Sequence, residues 1–193
     1  MHSDTPRPRD GLVESHVFGS VGQGVRWVSW ASFLMETHMP ASLRFVHLDT
    51  PDSLLPAFDV MRQLRPHLTD AHSFAAQVVS QHAEGYRLLA ASDAGNVVGL
   101  AGYRTLTNLL YGRFVYVDDL VVDSRLQRGG IGAQLLDAIR QIAREAGCAQ
   151  FVLDTGLHMP LAQRFYFRNG LLARGMHFVE PLAPPSRPAA FTS

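Results

Sequence analysis

The stretch that most limits how this chain can fold is residues 115–136, Val-Tyr-Val-Asp-Asp-Leu-Val-Val-Asp-Ser-Arg-Leu-Gln-Arg-Gly-Gly-Ile-Gly-Ala-Gln-Leu-Leu. Its first eight residues are mostly β-branched or aromatic, as a strand requires. Asp123 and Ser124 break that run with short polar side chains suited to a turn. Gln127, Arg128, Gly129, Gly130, Ile131, Gly132 and Ala133 then lead into an amphipathic segment. Glycines let the main chain turn tightly and bring its N–H groups close to a ligand. The first N–H groups of a helix lack partners and its dipole is positive there, so the pattern reads as strand, anion-binding turn and helix.

The kind of anion is narrowed by what is missing. A nucleoside-triphosphate loop needs Gly-Lys-Ser/Thr, and here Gly132 is followed by Ala133 and Gln134. A dinucleotide fingerprint needs a third glycine where Leu135 stands. Other chemistries are set aside by composition. All 17 basic residues are Arg, so no lysine nucleophile or Schiff base exists. Cys148 is the sole cysteine, which rules out an intrachain disulfide and points to a reducing, cytoplasmic compartment. The nine histidines show no metal-ligand spacing, and no metal is expected. A formal net charge of zero gives no bulk attraction to nucleic acid or anionic membrane. No apolar run approaches the roughly 20 residues that span a bilayer.

Along the chain, residues 1–40 differ from the rest, with scattered Pro and Gly and no sustained period. They read either as an accessory arm carrying Trp27, Trp30 and Phe33, or as an extension ahead of a true start at Met35 or Met39. Residues 43–48 predict a first strand. Asp49 or Thr50 then caps a helix begun by Pro51, with Phe58, Met61, Leu64 and Leu68 at helical spacing and Pro66 kinking or ending it. A second helix spans 71–83, with Phe74, Val78 and Val79 inward. Strands at 86–91 and 97–105 form a hairpin through Ser92-Asp93-Ala94-Gly95-Asn96. The strand from Arg113 follows, then the helix 130–145 ended by Gly147, and a strand at 149–153 that must pair in parallel through a right-handed crossover. Residues 160–169 form a last helix opened by Pro160 and closed by Gly170. A final strand or pair of strands is expected over 171–179, and a Pro-rich tail over 182–193.

Two motifs now occur in order. Gln-x-x-Gly-x-Gly/Ala, at Gln127, Gly130 and Gly132, resembles the pyrophosphate loop of the GNAT superfamily of acetyl-coenzyme A-dependent N-acetyltransferases. Ala162-Gln-Arg-Phe-Tyr-Phe-Arg-Asn-Gly-Leu171 resembles that family's Ala-x-x-Phe-Tyr-x-x-x-Gly-Phe segment, with Leu171 where Phe is commoner. The resemblance implies an α/β (α+β) mixed sheet over residues 41–181, antiparallel N-terminal strands followed by a parallel β-α-β pair, with helices on both faces. It implies acetyl-CoA as cosubstrate and no metal. The pantetheine arm would pair with Leu120, Val121 and Val122 where the central strand splays from the next, and the pyrophosphate would sit on amides 127–133, with Arg128 adding charge. A main-chain N–H near Val121 or Val122 would polarise the acetyl carbonyl.

Acyl transfer to an amine also needs an uncharged nucleophile and a proton donor for the departing thiolate. Tyr166 matches the family's general acid. Asp118 or Asp119 is the candidate base; strand alternation sends them to opposite faces unless a bulge intervenes, so at most one is expected to face the cleft. Many members carry an Asn ahead of the last helix. This chain has Gly156-Leu157-His158-Met159 instead, leaving Asp154-Thr155-Gly156 to orient the pantetheine and His158 or Arg164 to reach the adenosine phosphates. Direct attack in a ternary complex is expected, because Cys148 ends a helix away from the cleft. The acceptor is expected near residues 65–70 and 176–179, whose side chains favour no substrate class; one candidate acid pair without a strong acidic cluster favours a small-molecule amine over a protein, with a possible homodimer. A non-catalytic acyl-CoA sensor and a protein N-acetyltransferase are the competing readings.

Overall fold

The computed structural model describes residues 43–182. The N-terminal extension and all but the first residue of the Pro-rich tail therefore lie outside the described residues. Within them the strands are β1 (Arg44–His47), β2 (Tyr86–Asp93), β3 (Asn96–Asn108), β4 (Gly112–Val122) and β5 (Gln150–Leu153), and they make one sheet in sequence order. The first four are antiparallel and β4–β5 is parallel, as the connection lengths require. The β2–β3 turn places both Ala94 (φ 46°) and Gly95 (φ 86°) in the left-handed region, the twist a two-residue hairpin needs.

Local chemistry fixes the helices. Thr50 and Ser53 form a reciprocal capping box at the start of α1 (Pro51–Leu54). Pro56 then turns the chain into a single 3₁₀ turn (Leu55–Ala57) before α2 (Phe58–Leu64), which stops ahead of Pro66. Asp70 caps α3 (Ala71–His82) by accepting the Ser73 N–H at 2.6 Å. Beyond β4 come α4 (Ile131–Glu145), closed by Gly147 at φ 67°, and α5 (Pro160–Arg168).

Each face of the sheet has its own core. On one, Leu54, Ala57, Val60, Met61, Phe74 and Val78 of the first helices pack on Leu88, Ala90, Leu100 and Val121. On the other, Leu135, Ile139 and Ala143 of α4 pack on Leu89, Val98, Ala101, Val115 and Val117. Gly99 permits that second contact, since a Cβ there would lie 3.0 Å from Leu135 Cδ1.

Two expectations need correction. Val79 is exposed, and Ala75 takes the inward position beside Phe74 and Val78, because the buried stripe of α3 follows the 74–75–78 spacing of a helix face. No strand forms over 171–179: residues 171–182 carry no regular element, and Leu172, Met176 and Phe178 are exposed. Arg174 and Gly175 interrupt the alternation there, and β5, the edge on which another strand would build, is only four residues long.

Candidate functional site

The site begins with one extra residue in β4. β3 and β4 pair in register from Asn108/Gly112 to Tyr103/Val117 and again from Gly102/Asp119 to Gly99/Val122, leaving Asp118 as a bulge. The main-chain parity beyond the bulge follows from the Asp123 N–H, which donates to Val98 O at 3.0 Å. Pairs alternate in an antiparallel ladder, so Asp119 and Val121 also bond toward β3, while Leu120 and Val122 turn their N–H and C=O groups to the opposite edge. On that edge β5 is absent, because its register with β4 ends at Val117/Leu153. The two strands part there, and the parting exposes main-chain groups of Leu120 and Val122. The Val121 N–H, one of the two expected to polarise a carbonyl, is committed to β3.

The loop after β4 is set by Asp123. Its carboxylate, only 4% exposed, accepts the Arg125 N–H and Nε, both at 3.0 Å, and Nη2 at 2.6 Å. Those hydrogen bonds from Arg125 hold its pKa down at about 2. The Ser124 N–H donates to Gln63 Oε1 at 2.9 Å, and Gln127 Nε2 donates to Val122 O at 3.3 Å. The chain then adopts left-handed conformations at Arg128 (φ 70°) and Gly130 (φ 83°); for arginine this is uncommon and unfavourable. Among the described residues the amides of 127–133 find no hydrogen-bond partner, and Gln134 is the first to reach an intrahelical acceptor, Gly130 O at 3.1 Å. A row of unpaired donors thus lies at the positive end of α4, where it suits a diphosphate.

α5 closes over this loop. The Phe165 ring lies 3.2 Å from where a Cβ on Gly132 would be, and that position is also 3.6 Å from Val122 Cγ2. Arg140 of α4 donates to Asn169 O at 2.6 Å. Tyr166 sits beside Phe165, with ring centroids 5.4 Å apart. Its hydroxyl makes no hydrogen bond to the described residues, and burial raises its pKa, so the phenol keeps its proton at neutral pH. Leu120, Val122, the 127–133 loop and the Phe165–Tyr166 pair are therefore gathered around the parting of β4 and β5.

Asp118 and Asp119 lie across the sheet from that loop, both on the face covered by α1–α3. The bulge defeats the alternation that would have separated them. Asp119 accepts Arg65 Nε (2.8 Å) and the Tyr86 hydroxyl (2.8 Å), and Arg65 Nη2 also donates to Asp118 O at 3.1 Å. Gly102 makes room for this, since a Cβ there would overlap the Tyr86 hydroxyl. Burial, then the Asp119 charge, push the Tyr86 pKa well up. Asp118 pairs with Arg104 Nε at 3.3 Å, yet burial still raises its pKa. At the end of β5, Asp154 Oδ2 accepts the Tyr116 hydroxyl and pairs with His177 Nδ1 at 2.8 Å. Asp154 Oδ2 is thus engaged by two side chains. Sequence reasoning missed Tyr86, Arg104 and Tyr116, whose roles follow only from strand register. Arg65 and His177 fall in the two regions expected for the acceptor.

Cys148 packs against the α4-side core. Among the described residues no group of His, Cys, Asp or Glu is arranged to hold a metal ion, and no helix is long and apolar enough to cross a membrane.

A sequence model of the Acetyltransferase (GNAT) family matches residues 51–171. The chain is 31% identical over 65 residues to a probable glucosamine 6-phosphate N-acetyltransferase 2 of Oryza sativa subsp. japonica, covering 34% of this chain and 37% of that protein. It is 30% identical over 109 residues to an IAA acetyltransferase of Azospirillum brasilense, covering 56% of this chain and 65% of that one. Each match thus spans less than two thirds of the curated relative. Among solved structures, an aminoglycoside N-acetyltransferase AAC(6')-Iy in complex with CoA superposes with a TM-score of 0.62 at 18% identity, covering 75% of this chain and 99% of that one. At that identity the likeness is one of fold.

Proposed function

The chain belongs to the GNAT acetyltransferase family, and from that membership we propose that it transfers an acetyl group from acetyl-coenzyme A to the primary amine of a small molecule by direct attack in a ternary complex. The observation that carries this reading is the parting of β4 from β5 beyond Val117/Leu153, directly beside the open amides of 127–133. A diphosphate on the loop sends its pantetheine arm into that gap, where the Leu120 and Val122 main chain pairs with its amides. A gap-facing N–H of the same strand polarises the thioester carbonyl. The amine nitrogen attacks the carbonyl carbon, the C–S bond breaks, and Tyr166 protonates the departing thiolate.

The acceptor reaches the gap from the α1–α3 face. Arg65 and Arg104 of that face are paired with Asp119 and Asp118, so neither presents an unpaired cation to repel an ammonium. The names of the two curated relatives support a small acceptor. Calorimetry with coenzyme A and measurement of thiol release from acetyl-coenzyme A over a panel of small amines and basic peptides test the proposal. Release with a small amine is expected. Binding without release from any amine makes the domain a sensor, and release with peptides alone makes it a protein acetyltransferase.

A further inference from the structure

An amine at neutral pH arrives as an ammonium, so something must take its proton before it can attack. The two carboxylates of β4 suit this poorly, because Asp119 is held by Arg65 and Tyr86 and Asp118 faces Arg104. A different group stands at the mouth of the gap. Asp154 follows Leu153, the last residue of β5 paired with β4, so it lies where the strands begin to part. Its Oδ2 takes the Tyr116 hydroxyl from β4 and His177 Nδ1 from the segment after α5. An ionised carboxylate has no hydrogen to donate. The Nδ1 atom therefore carries the proton, which leaves the Nε2 lone pair unprotonated on a side chain that is 60% exposed. Imidazole is the side chain whose ordinary titration lies closest to neutral pH, the condition a general base needs.

We infer that His177 is the base that deprotonates the acceptor ammonium, and that Asp154, itself braced by Tyr116, is the residue that positions its ring. The inference rests on the acetyl-transfer reading above. In balanced form, the ammonium gives one proton to Nε2, and the resulting imidazolium is held by the Asp154 carboxylate. The free amine attacks the thioester. As the amide forms, its nitrogen loses a second proton, which passes through solvent to the Tyr166 oxygen that has protonated sulfur, and His177 returns its own proton to solvent. Acid and base thus stand on opposite sides of the sheet opening. The charged and titratable groups facing this pair are Tyr116 and Asp118 of β4 and Arg104 of β3; Asp118 acts on the Tyr116 phenol, and burial raises that phenol's pKa, so it stays a donor.

The test uses the full chain and the best acceptor from the amine panel. The pH profile of kcat/KM is measured for the wild type, His177→Gln, Asp154→Asn and Tyr116→Phe, with calorimetry for coenzyme A alongside. His177→Gln is expected to lower kcat/KM about 100-fold, to remove the acid limb in the range where imidazoles titrate, and to regain activity with added imidazole, while coenzyme A affinity holds. Asp154→Asn is expected to lower kcat/KM by a smaller factor while keeping the limb, since the ring loses only the carboxylate that orients it. An unchanged limb in His177→Gln, or no rescue by imidazole, overturns the proposal and leaves the pair a strap for residues 171–182. NMR of the His177 ring nitrogens in wild type and Asp154→Asn reads the Nδ1–H hydrogen bond without turnover. Identical ring-nitrogen shifts in both refute the dyad, whereas a wild type that binds coenzyme A but releases none with any amine refutes acetyl transfer instead.

Discussion

The two faces of the sheet at the parting of β4 and β5 are built from different materials. Toward α4 the site is main chain: consecutive amides of residues 127–133 and the turned-out groups of Leu120 and Val122, with Tyr166 the one side chain proposed to react. Toward α1–α3 it is side chain: Arg65, Tyr86, Arg104, Tyr116, Asp118, Asp119, Asp154 and His177, drawn from six separate stretches of sequence. A main-chain site recognises what all its ligands share, which in the proposed function is a diphosphate and an amide-bearing arm. A side-chain site is where one member of a fold is made to differ from another. Substitutions on one face should therefore alter cofactor binding and those on the other should alter the acceptor, each leaving the other nearly untouched.

The sharpest break in that division is Tyr166, the side chain proposed as the general acid. Tyr166→Phe is expected to lower kcat by about 10- to 1000-fold with coenzyme A affinity unchanged, because a general acid acts in the transition state and not in ground-state binding. Stopped-assay rates and calorimetry on the same preparation separate the two; a wild-type rate would return Tyr166 to simple packing beside Phe165. Next in size is Gly102→Ala. The new methyl group must displace the Tyr86 hydroxyl from Asp119, at a cost of about 1–3 kcal/mol for overpacking. Denaturant unfolding reads that loss, and acceptor KM is expected to rise while coenzyme A binding holds. A parallel loss of coenzyme A affinity would show the faces to be coupled through β4.

Smaller effects belong to the loop. Gly130→Ala puts a Cβ on a residue at φ 83°, which costs about 1–2 kcal/mol in the left-handed region. The strain falls where the amides converge, so coenzyme A affinity should drop about 10-fold with acceptor KM unaffected. Asp123→Asn acts one step earlier, on the turn that leads into the loop. Its carboxylate titrates at about 2 when folded, below the ordinary value near 3.9. The stabilisation is therefore fully present above about pH 4 and is lost as pH falls toward 2. Screened through the exposed Arg125, it is about 1 kcal/mol. Stability curves for wild type and Asp123→Asn should differ at pH 7 and converge near pH 2.

The same contrast explains how much was legible beforehand. The glycine loop between β4 and α4 could be read because Gln127, Gly130 and Gly132 lie close together in sequence and the glycines do a main-chain job that any sequence spells in the same way. The strands and helices of residues 43–170 were equally local, each announced by a cap, a proline or a period. The side-chain face was not legible, because Tyr86 meets Asp119 only once β2, β3 and β4 are laid in register, and because the bulge at Asp118 reverses the side-chain alternation. A bulge leaves little trace in the residues that form it; Gly102, opposite, was the available signal, and it reads equally well as an ordinary small strand residue. The missing last strand is the same lesson in reverse, since Leu172, Met176 and Phe178 carry strand-forming residues with no long edge to receive them.

A substitution in a turn that belongs to neither face supplies the control. Ala94 occupies the first left-handed position of the β2–β3 turn, at φ 46°, ahead of Gly95 at φ 86°. That conformation costs an alanine energy that asparagine largely avoids, and Asn-Gly is the preferred pair for a two-residue hairpin of this hand. Ala94→Asn is therefore expected to raise stability by about 0.5 kcal/mol, visible as a small upward shift in Tm. Neither coenzyme A affinity nor acceptor KM should move, because the turn lies at the end of β2 away from Tyr86, and β3 separates β2 from the gap. A change in either would mean that β2 transmits strain along its length to the Tyr86–Asp119 bond, and the acceptor face would then have to be treated as part of the sheet's overall twist rather than as a local assembly of side chains.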